Sequence, residues 1–312
     1  MMKYKIIILL SLLAFISCGQ QKLKETDTLT SGTIKISVDE SFEPIIKQEI
    51  IVFENKFLDA TIIPIYTNEV EAINLLLKDS VRLAITTRKL TEQEKQHIET
   101  RKMFAREVKL ATDGIAIITN KQNKDTLITV SQLRKIMTGE VTQWNEIFPD
   151  SPLGNIELVF DNPNSSTVRF AIETICNGKP LSEKLFAQHT NPEVIEHVAQ
   201  NKNAIGVIGV SWIGNKADST RLSFLDNITL MSVSAEKTAT SANSFKPFQY
   251  YLNSGDYPLT RDVFAISTDP KNGLPTGFVS FLTSDIGQKI ILKEGLVPAT
   301  QIIRIVNVKE NF

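Results

Sequence analysis

The sequence predicts an α/β fold made of two units, and three features of the chain indicate it. Strand-like apolar runs alternate with helical patterns between residues 33 and 87. The alternation starts again after Asp113, and a late strand at residues 261–267 indicates a return to the first unit. Chains with this order form mostly parallel sheets with right-handed crossovers. We therefore expect two such sheets, each flanked by helices and joined by two extended crossings near residues 113–117 and 258–264.

The first unit contains three strands and two helices in alternation. In chain order these are the strand TIKISV, a helix from about Glu43 to Phe57, the strand ATIIPIY, the helix EVEAINLLLKD and the strand VRLAITT. In open α/β sheets, ligands bind beyond the carboxyl ends of the strands, where loops lead into helices. The loops after these strands are therefore the places to look for a site.

The second unit begins with DGIAIITN at residues 113–120 and continues with a new set of strands and helices. The predicted order is the short helix SQLRKIMTG, the strand IELVF, the helix STVRFAIETI, and the strands AIGVIGV and ITLMSVS. After the strand RDVFAIS the chain closes with one amphipathic helix, TGFVSFLTSDIGQKIILKEG, and a terminal strand, IIRIVNV.

The N-terminus predicts export and a lipid anchor. Lys3 and Lys5 precede an apolar run that is too short to span a bilayer but suits a signal peptide. The run ends in Ser17 and Cys18, which resembles the lipobox of bacterial lipoproteins, so residues 1–18 are predicted to be a lipoprotein signal peptide. An ordinary signal peptide that happens to contain a cysteine is the alternative. The polar residues 19–31 are predicted to be a linker.

Composition narrows the function classes. The formal net charge is −1 at pH 7, which disfavours general binding to nucleic acid or to an anionic membrane surface. The two cysteines are Cys18 and Cys176; if Cys18 carries lipid, no internal disulfide can form. Cys176 lies in an apolar pattern typical of a core residue. We expect no metal and no cofactor.

The loops at the carboxyl ends of four predicted strands carry hydroxyl or amide side chains close to a helix start. They read DESFEP, TNEV, TTRKLT and DNPNSST. A helix N-terminus offers unpaired N–H groups, hydroxyls add donors and a guanidinium adds charge, so such loops can hold a small oxyanion. Each loop alone is explained as well by helix capping. The consecutive Ser165, Ser166 and Thr167 exceed what one cap requires.

Several segments, in order, resemble the substrate-binding proteins of phosphate ABC transporters, which have the two-lobed type II periplasmic-binding-protein fold. They are DGIAIITN, LITVSQLRKIMTGEVTQWNEI, NSSTVRF, NAIGVIGVSWI, YPLTRDVFAIS and GQKIILKEGLVPA. The resemblance extends over nearly all of the chain after the linker. It implies one lobe from residues 32–115 and 262–312 and a second lobe from residues 116–261.

The resemblance also implies a set of phosphate-binding residues. They are Ser41, Phe42 through its backbone, Thr67, Thr86, Thr87, Arg88, Asn164, Ser165, Ser166 and Thr167. Four positions depart from the family pattern: Thr87 stands where some members have an acceptor Asp, Asp161 where they have an Arg, Ser166 where they have a Gly, and Glu40 is an extra carboxylate. The roles of Asp161, Glu40 and Arg169 stay open.

The implied function is a binding module that delivers phosphate, or a similar oxyanion, to an ABC transporter permease from the outer face of a membrane. We expect a monomer. Two alternatives are a sensing or scavenging lipoprotein of the same fold without a permease, and an enzyme such as a phosphatase. The residue types argue against an enzyme, because His97, His189 and His197 form no metal-ligand pattern and no Gly-x-Ser-x-Gly elbow is present.

Overall fold

The computed structural model describes residues 27–184, 186–214 and 224–300. The predicted signal peptide with Cys18, the linker up to residue 26 and the predicted terminal strand at residues 302–308 lie outside this part. Among the residues described, no helix is both long and apolar enough to cross a bilayer.

The strands and helices alternate along most of the chain. The strands are β1 (Gly32–Asp39), β2 (Ala60–Thr67), β3 (Leu83–Thr86), β4 (Arg106–Asn120), β5 (Leu127–Thr129), β6 (Glu157–Phe160), β7 (Phe186–Ala187), β8 (Ala204–Gly209), β9 (Ile228–Leu230), β10 (Ser232–Ser234), β11 (Thr260–Ser267) and β12 (Val297–Pro298). The helices are α1 (Glu43–Lys56), α2 (Glu69–Leu77), α3 (Glu92–Glu99), α4 (Val130–Met137), α5 (Ser166–Phe170), α6 (Asn191–Gln200), α7 (Gln249–Ser254), α8 (Leu274–Leu282) and α9 (Asp285–Lys293).

The strands form one hydrogen-bonded path in the order β2-β1-β3-β11-β4-β8-β6-β7, with β9 and β12 also paired to β4. The α/β class is confirmed, and the sheet is mixed. Strands β1, β2 and β3 run parallel, as do β6, β7 and β8. Strands β4 and β11 are antiparallel to each other, β11 is also antiparallel to β3, and β4 is also antiparallel to β8. Strands β5 and β10 form a separate parallel pair.

Strand β4 belongs to both halves of the sheet. Its residues up to Gly114 pair with β11, and from Ile115 onward they pair with β8 and β9. The two crossings expected near 113–117 and 258–264 therefore lie side by side, with Gly114 opposite Thr260. The proposed division of the chain into two lobes remains a prediction. The change of partner within β4 marks where such a division would fall.

Three predicted elements differ from the structure for local reasons. Strand β4 begins at Arg106, seven residues before its predicted start; its first half carries the charged residues Arg106, Glu107 and Lys109 and lacks the apolar run that marks the second half. The predicted helix at 276–295 is two helices, since Ser284 caps a new helix by accepting from the N–H of Gly287. The predicted strand ITLMSVS is split at Met231 between β9 and β10.

Helix α1 shows how the sequence fixes an element beside the sheet. Pro44 stands in its first turn, where its missing N–H costs nothing, and Ile46, Ile50 and Phe53 bury one face. Phe53 packs edge-on against Phe278 of α8, with ring centroids 5.2 Å apart. This packing anchors the last turns of α1 against α8, while the helix begins just after the carboxyl end of β1.

Candidate functional site

The loop after β1 places a buried hydroxyl at the start of α1. Asp39 ends the strand, and its Oδ1 accepts a hydrogen bond from the N–H of Ser41 at 3.0 Å. This bond closes a short 3-10 turn over Glu40–Phe42, in which Ser41 and Phe42 are buried. Phe42 is the N-cap of α1 and makes no side-chain capping bond. The first turn of α1 thus keeps N–H groups that no side chain caps.

The loop after β6 carries the consecutive hydroxyls noted in the sequence. Ser165 is the N-cap of α5, and its Oγ accepts from the N–H of Val168 at 3.1 Å. Ser166 and Thr167 are fully buried, whereas Asn164 is exposed. One hydroxyl of the three therefore caps the helix, and the other two are free for another role. Just beyond Phe170 the helix widens into a π-helical turn, Ala171–Ile175.

These two loops meet. The hydroxyl oxygens of Ser41 and Ser166 lie 3.3 Å apart, although 125 positions separate them in the chain. Ser211, after β8, donates to the carbonyl oxygen of Ser41 at 2.8 Å. The amide of Asn162 donates to the carboxylate of Glu40. The structure therefore brings Ser41 and Ser166, both predicted from the sequence, into one place.

A buried arginine that sequence reasoning missed completes this meeting point. Arg261, on β11, donates from Nη1 to Ser166 Oγ at 2.8 Å and from Nε to Asp113 Oδ2 at 2.9 Å. Its guanidinium lies over the ring of Phe42, 5.4 Å from the centroid. Arg261 and Asp113 are direct partners in the ladder between β11 and β4. A charged pair inside two apolar strand patterns was the available signal, because such residues are seldom buried without a partner.

Several polar atoms around Arg261 are buried without a hydrogen-bond partner among the described residues. They include Asp39 Oδ2, both carboxylate oxygens of Asp161, Thr167 Oγ1 and Arg261 Nη2. We call the group Asp39, Asp113, Asp161, Ser166, Thr167 and Arg261 the open cluster. Buried polar groups in native proteins nearly always have partners, so unpaired atoms of both donor and acceptor type indicate a place for water or a ligand.

A second polar group, which we call the paired cluster, joins Glu69, Thr87 and Arg169. Arg169 donates from Nε to Glu69 Oε2 at 2.6 Å and from Nη2 to Thr87 Oγ1 at 2.7 Å. The N–H and the hydroxyl of Thr87 both donate to Glu69 Oε1 at 2.7 Å. Arg169, whose role the sequence left open, thus ties α5 to the loop after β3 and the start of α2.

The pKa values of the acidic residues are shifted in opposite directions in the two clusters. Burial raises the pKa of Asp161 to about 6, with the nearby Asp39 adding to the rise and the Ser165 hydroxyl opposing it. Burial also raises the pKa of Asp39, against the attraction of Arg261. For Glu69, burial alone would raise the pKa, but the hydrogen bonds and charge of Arg169 hold it below its usual value. Charge pairing therefore favours the ionised carboxylate in the paired cluster, whereas burial favours the neutral carboxyl in the open cluster.

The remaining predicted residues lie outside the open cluster. Both terminal nitrogens of Arg88 donate to Glu94, at 2.7 and 2.8 Å, so this guanidinium is already engaged. Thr86 donates its hydroxyl to the carbonyl of Arg88 at 2.9 Å. Thr67 is half-buried at the end of β2, opposite Asp39 in the ladder. Their contact with a ligand stays a prediction.

The histidines and acids of the described residues show no grouping suited to a metal ion. His197 contacts Glu157 through Nε2 at 3.3 Å and Gln188 through Nδ1 at 3.2 Å. What the open cluster offers is a guanidinium, two hydroxyls and protonatable carboxyls at the ends of two helices. These are groups that hydrogen-bond a small oxyanion, and the carboxyl oxygens can also accept from a protonated one.

Comparisons with known proteins identify the family of the chain. The model of the PBP superfamily domain matches residues 24–285. Among curated proteins, the chain is 26% identical over 233 residues to the "Phosphate-binding protein PstS" of Borreliella burgdorferi, covering 72% of this chain and 75% of that protein. It is 25% identical over 206 residues to the protein of that name from Staphylococcus epidermidis, covering 65% of this chain and 59% of the relative.

Solved structures show the same fold. A putative phosphate ABC transporter substrate-binding protein from Clostridium perfringens, with bound phosphate, superposes with a TM-score of 0.72 at 23% identity; the match covers 86% of this chain and all of that one. An ABC-type phosphate transport receptor from Vibrio cholerae gives a TM-score of 0.65 at 22% identity, with the same coverage. At these identities the structural likeness establishes the fold.

Proposed function

Because this chain belongs to the PBP superfamily, we propose that it is an exported solute-binding protein that captures phosphate, or a similar tetrahedral oxyanion, for an ABC transporter. The observation that carries the proposal is the meeting of Ser41 and Ser166 beside the buried guanidinium of Arg261. Hydroxyls from two loops and one arginine suit an anion with several acceptor oxygens. The similarity to proteins named as phosphate-binding supports the choice of ligand. The proposed role is binding and delivery, not catalysis.

The open cluster favours an oxyanion that carries a proton. Asp39 Oδ2 and both oxygens of Asp161 lack partners among the described residues. A carboxylate oxygen accepts a hydrogen bond from a P–O–H group but repels a fully ionised oxyanion, and such repulsion is a common source of specificity. Phosphate and arsenate should therefore bind better than sulfate. These two carboxyls would do the work that the family pattern assigns to the position of Thr87.

The proposal includes two lobes, built from residues 32–115 with 262–312 and from residues 116–261, with the site between them. Its support is that Ser41 would belong to the first lobe and Ser166 to the second. The shared strand β4 and its neighbour β11 would form the connection. An ion pair between the lobes, Arg169 with Glu69, would help to hold them together around the ligand.

The proposal also includes a lipid anchor at Cys18, for which the residue pattern around Ser17 and Cys18 is the support. A clickable fatty acid fed to expressing cells should label the parent and should not label Cys18→Ala. Equal labelling of the two proteins would contradict the anchor. The binding of phosphate does not depend on this result.

The ligand is tested by calorimetric titration of the delipidated protein with phosphate, arsenate and sulfate. Phosphate and arsenate should bind, and Ser166→Ala should weaken phosphate binding roughly tenfold or more, because a hydrogen bond to a charged group contributes about 1.5–3 kcal/mol. Thr91→Ala is the matched control. It removes the capping hydroxyl of α3, which bonds the N–H of Glu94 and no member of the open cluster, so it should cost about 1 kcal/mol of stability and leave affinity unchanged.

Two outcomes would overturn the assignment. A parent protein that binds none of the three anions would leave the fold standing and remove the proposed ligand. If Ser166→Ala bound phosphate like Thr91→Ala, the hydroxyl of Ser166 would be structural. Neighbouring Ser165→Ala helps to separate the roles, since its loss of a cap should show mainly in the melting temperature.

A further inference from the structure

An oxyanion at the open cluster needs a positive partner, and the candidates described above are Arg88, Arg169 and Arg261. Arg88 has both terminal nitrogens on Glu94. Arg169 uses Nε on Glu69, Nη1 on Glu173 and Nη2 on Thr87. The charge of each of these two guanidinium groups is compensated, because each forms an ion pair with a carboxylate at 2.6–2.7 Å. An anion would have to break these bonds to reach them.

Arg261 differs from both in burial and in its unused nitrogen. Its side chain is 4% exposed, and Nη2 has no hydrogen-bond partner among the described residues. Nη1 already donates to Ser166 Oγ, the hydroxyl that faces Ser41. A Cβ added at Gly209 would lie 3.5 Å from Nη2, in ordinary van der Waals contact, so Gly209 packs beside that side of the guanidinium. A buried guanidinium N–H without a partner is costly unless something else accepts from it.

We propose that Arg261 is the arginine that binds the oxyanion, with Nη2 donating to it while Nε remains on Asp113. The inference rests on the proposed function and adds a specific residue to it. Strand β11 then supplies the charge that the family pattern places just ahead of the hydroxyl loop, where this chain has Asp161. The positive partner has moved from a loop to the crossing strand. The paired guanidinium groups of Arg88 and Arg169 position the surrounding loops.

The carboxyls that face Arg261 fit this assignment. Asp113 is its ladder partner on β4, and Asp39 and Asp161 stand at the ends of β1 and β6. One guanidinium cannot neutralise three carboxylates and an anion together. Burial raises the pKa values of Asp39 and Asp161, which favours the neutral form of each more than in water and so lessens that excess of negative charge. Arg261 is therefore the charge that makes anion binding possible at a site lined with acids.

The test must separate binding by Arg261 from its ion pair with Asp113, since removing one partner of a buried pair can unfold a protein. Asp113→Asn is therefore the background, and Asp113→Asn with Arg261→Gln is the test variant. Relative to the background, the double variant should bind phosphate about ten- to a hundredfold more weakly, because a donor to a charged oxygen is lost. Arg261→Lys keeps the positive charge but lacks the paired N–H donors of the guanidinium, so its phosphate affinity should fall about tenfold.

Arg106→Gln is the matched control, since Arg106 is an exposed arginine near the other end of the β4–β11 ladder. It should bind phosphate like the parent. Melting of each apo variant shows that it is folded, and Arg261→Lys gives the answer if the double variant does not fold.

The inference is overturned if the double variant binds phosphate as tightly as Asp113→Asn, or if Arg261→Lys binds like the parent. It is also overturned if Arg88→Gln loses affinity while the Arg261 variants keep it. A parent that binds no phosphate would remove the proposed function as well, and that outcome is read from the parent titration alone.

Discussion

The open cluster and the paired cluster contain the same kinds of side chain, and they differ in how many of their polar atoms have hydrogen-bond partners. Each places a guanidinium beside carboxyls and hydroxyls at the ends of strands. In the paired cluster the hydroxyl of Thr87 and both carboxylate oxygens of Glu69 have partners. In the open cluster Asp161, Thr167 and Arg261 keep atoms without a partner among the described residues.

The difference shows which polar groups hold the fold together and which are left for a ligand. A satisfied buried network rigidifies the structure around it, whereas an unsatisfied one is costly until something fills it. We therefore interpret Arg169 as a residue that links α5 to the loop after β3, and Arg261 as a group that binds the ligand. A sequence shows both as an arginine near a hydroxyl and gives no means to separate them.

Glu49 sharpens the comparison, because an unpaired carboxyl is not by itself a site. It is fully buried on α1, and neither oxygen has a partner within the described chain. Its surroundings are apolar side chains such as Phe42, Ile85 and Leu296. Without donors beside it, this carboxyl can hold a proton but cannot form an anion site.

The largest effect is therefore expected from Glu49→Gln. Burial raises the pKa of Glu49 to about 9. A raised pKa gives stability that is full below the unfolded value, near 4.5, and is lost as the pH rises through 9. The variant should match the parent near pH 4 and exceed it by about 5 kcal/mol at pH 8, since pH 8 lies about 3.5 units above the unfolded pKa and each unit corresponds to about 1.4 kcal/mol.

Urea denaturation at the two pH values measures this gain, with Glu99→Gln, at an exposed carboxyl of α3, as the control that should show none. Phosphate affinity should not change. A loss of affinity in Glu49→Gln would show that unpaired carboxyls outside the open cluster also serve the ligand, and the comparison would fail.

The next effect is expected from breaking the paired cluster with Arg169→Gln. Glu69 is only 2% exposed, so it would keep a buried charge without its cation. Removing one partner of a fully buried pair costs about 3–5 kcal/mol, and the 27% exposure of Arg169 reduces this to about 2 kcal/mol. Unfolding at pH 7 gives the number.

Glu173→Gln is its control, because it removes the exposed partner of the same guanidinium and should cost less than about 0.5 kcal/mol. Equal stability of the two variants would mean that the paired cluster does not tie the elements together. The distinction between the clusters would then rest on ligand binding alone.

The smallest effect is expected from Asp161→Asn in the open cluster. The pKa of Asp161 is raised to about 6, so its contribution to stability is present below about 4 and is lost as the pH rises through 6. The variant should therefore gain stability relative to the parent as the pH rises from about 4 to 8, while the missing partners of the new amide lower its stability equally at both pH values.

Phosphate titration at pH 5 and pH 8 provides the second readout for this variant. At pH 8 Asp161→Asn should bind phosphate severalfold more weakly than the parent, since the carboxylate that accepts from the P–O–H group has gone. The difference should shrink at pH 5, where the parent carboxyl is protonated. A difference that is the same at both pH values would contradict the raised pKa of Asp161.

Much of the fold was predictable because local patterns and tertiary structure agree. The strand at 33–38 and the helix from Glu43 were confirmed nearly to the residue, since apolar spacing and Pro44 both mark them. The first half of β4 was missed, because its charged residues Arg106, Glu107 and Lys109 are typical of a surface segment. Only its neighbour β11 makes that segment a strand.

The hydroxyl residues of the site could be predicted from the sequence, but the roles of its charged residues could not. Ser41 and Ser166 follow strands in loops that lead into helices, so their positions could be expected from the order of the elements. Arg261 lies inside a strand 95 positions from Ser166, and its contact depends on how β11 crosses the sheet. Whether Arg88 is paired depends on Glu94, six residues later, in a helix that the pattern did not indicate.

Hydrogen exchange at amides of strand β4 can report how often the two crossings separate. A single amide, that of Ile115, donates to the carbonyl of Leu259 at 2.8 Å, at the point where the partners of the strand change. Hydrogen exchange at this amide proceeds only when the two crossings separate there, so its rate records local opening events. Amides deeper in β4, such as that of Ile117, exchange only through larger openings. The ratio of the two rates would measure how often the crossings part without the sheet coming apart.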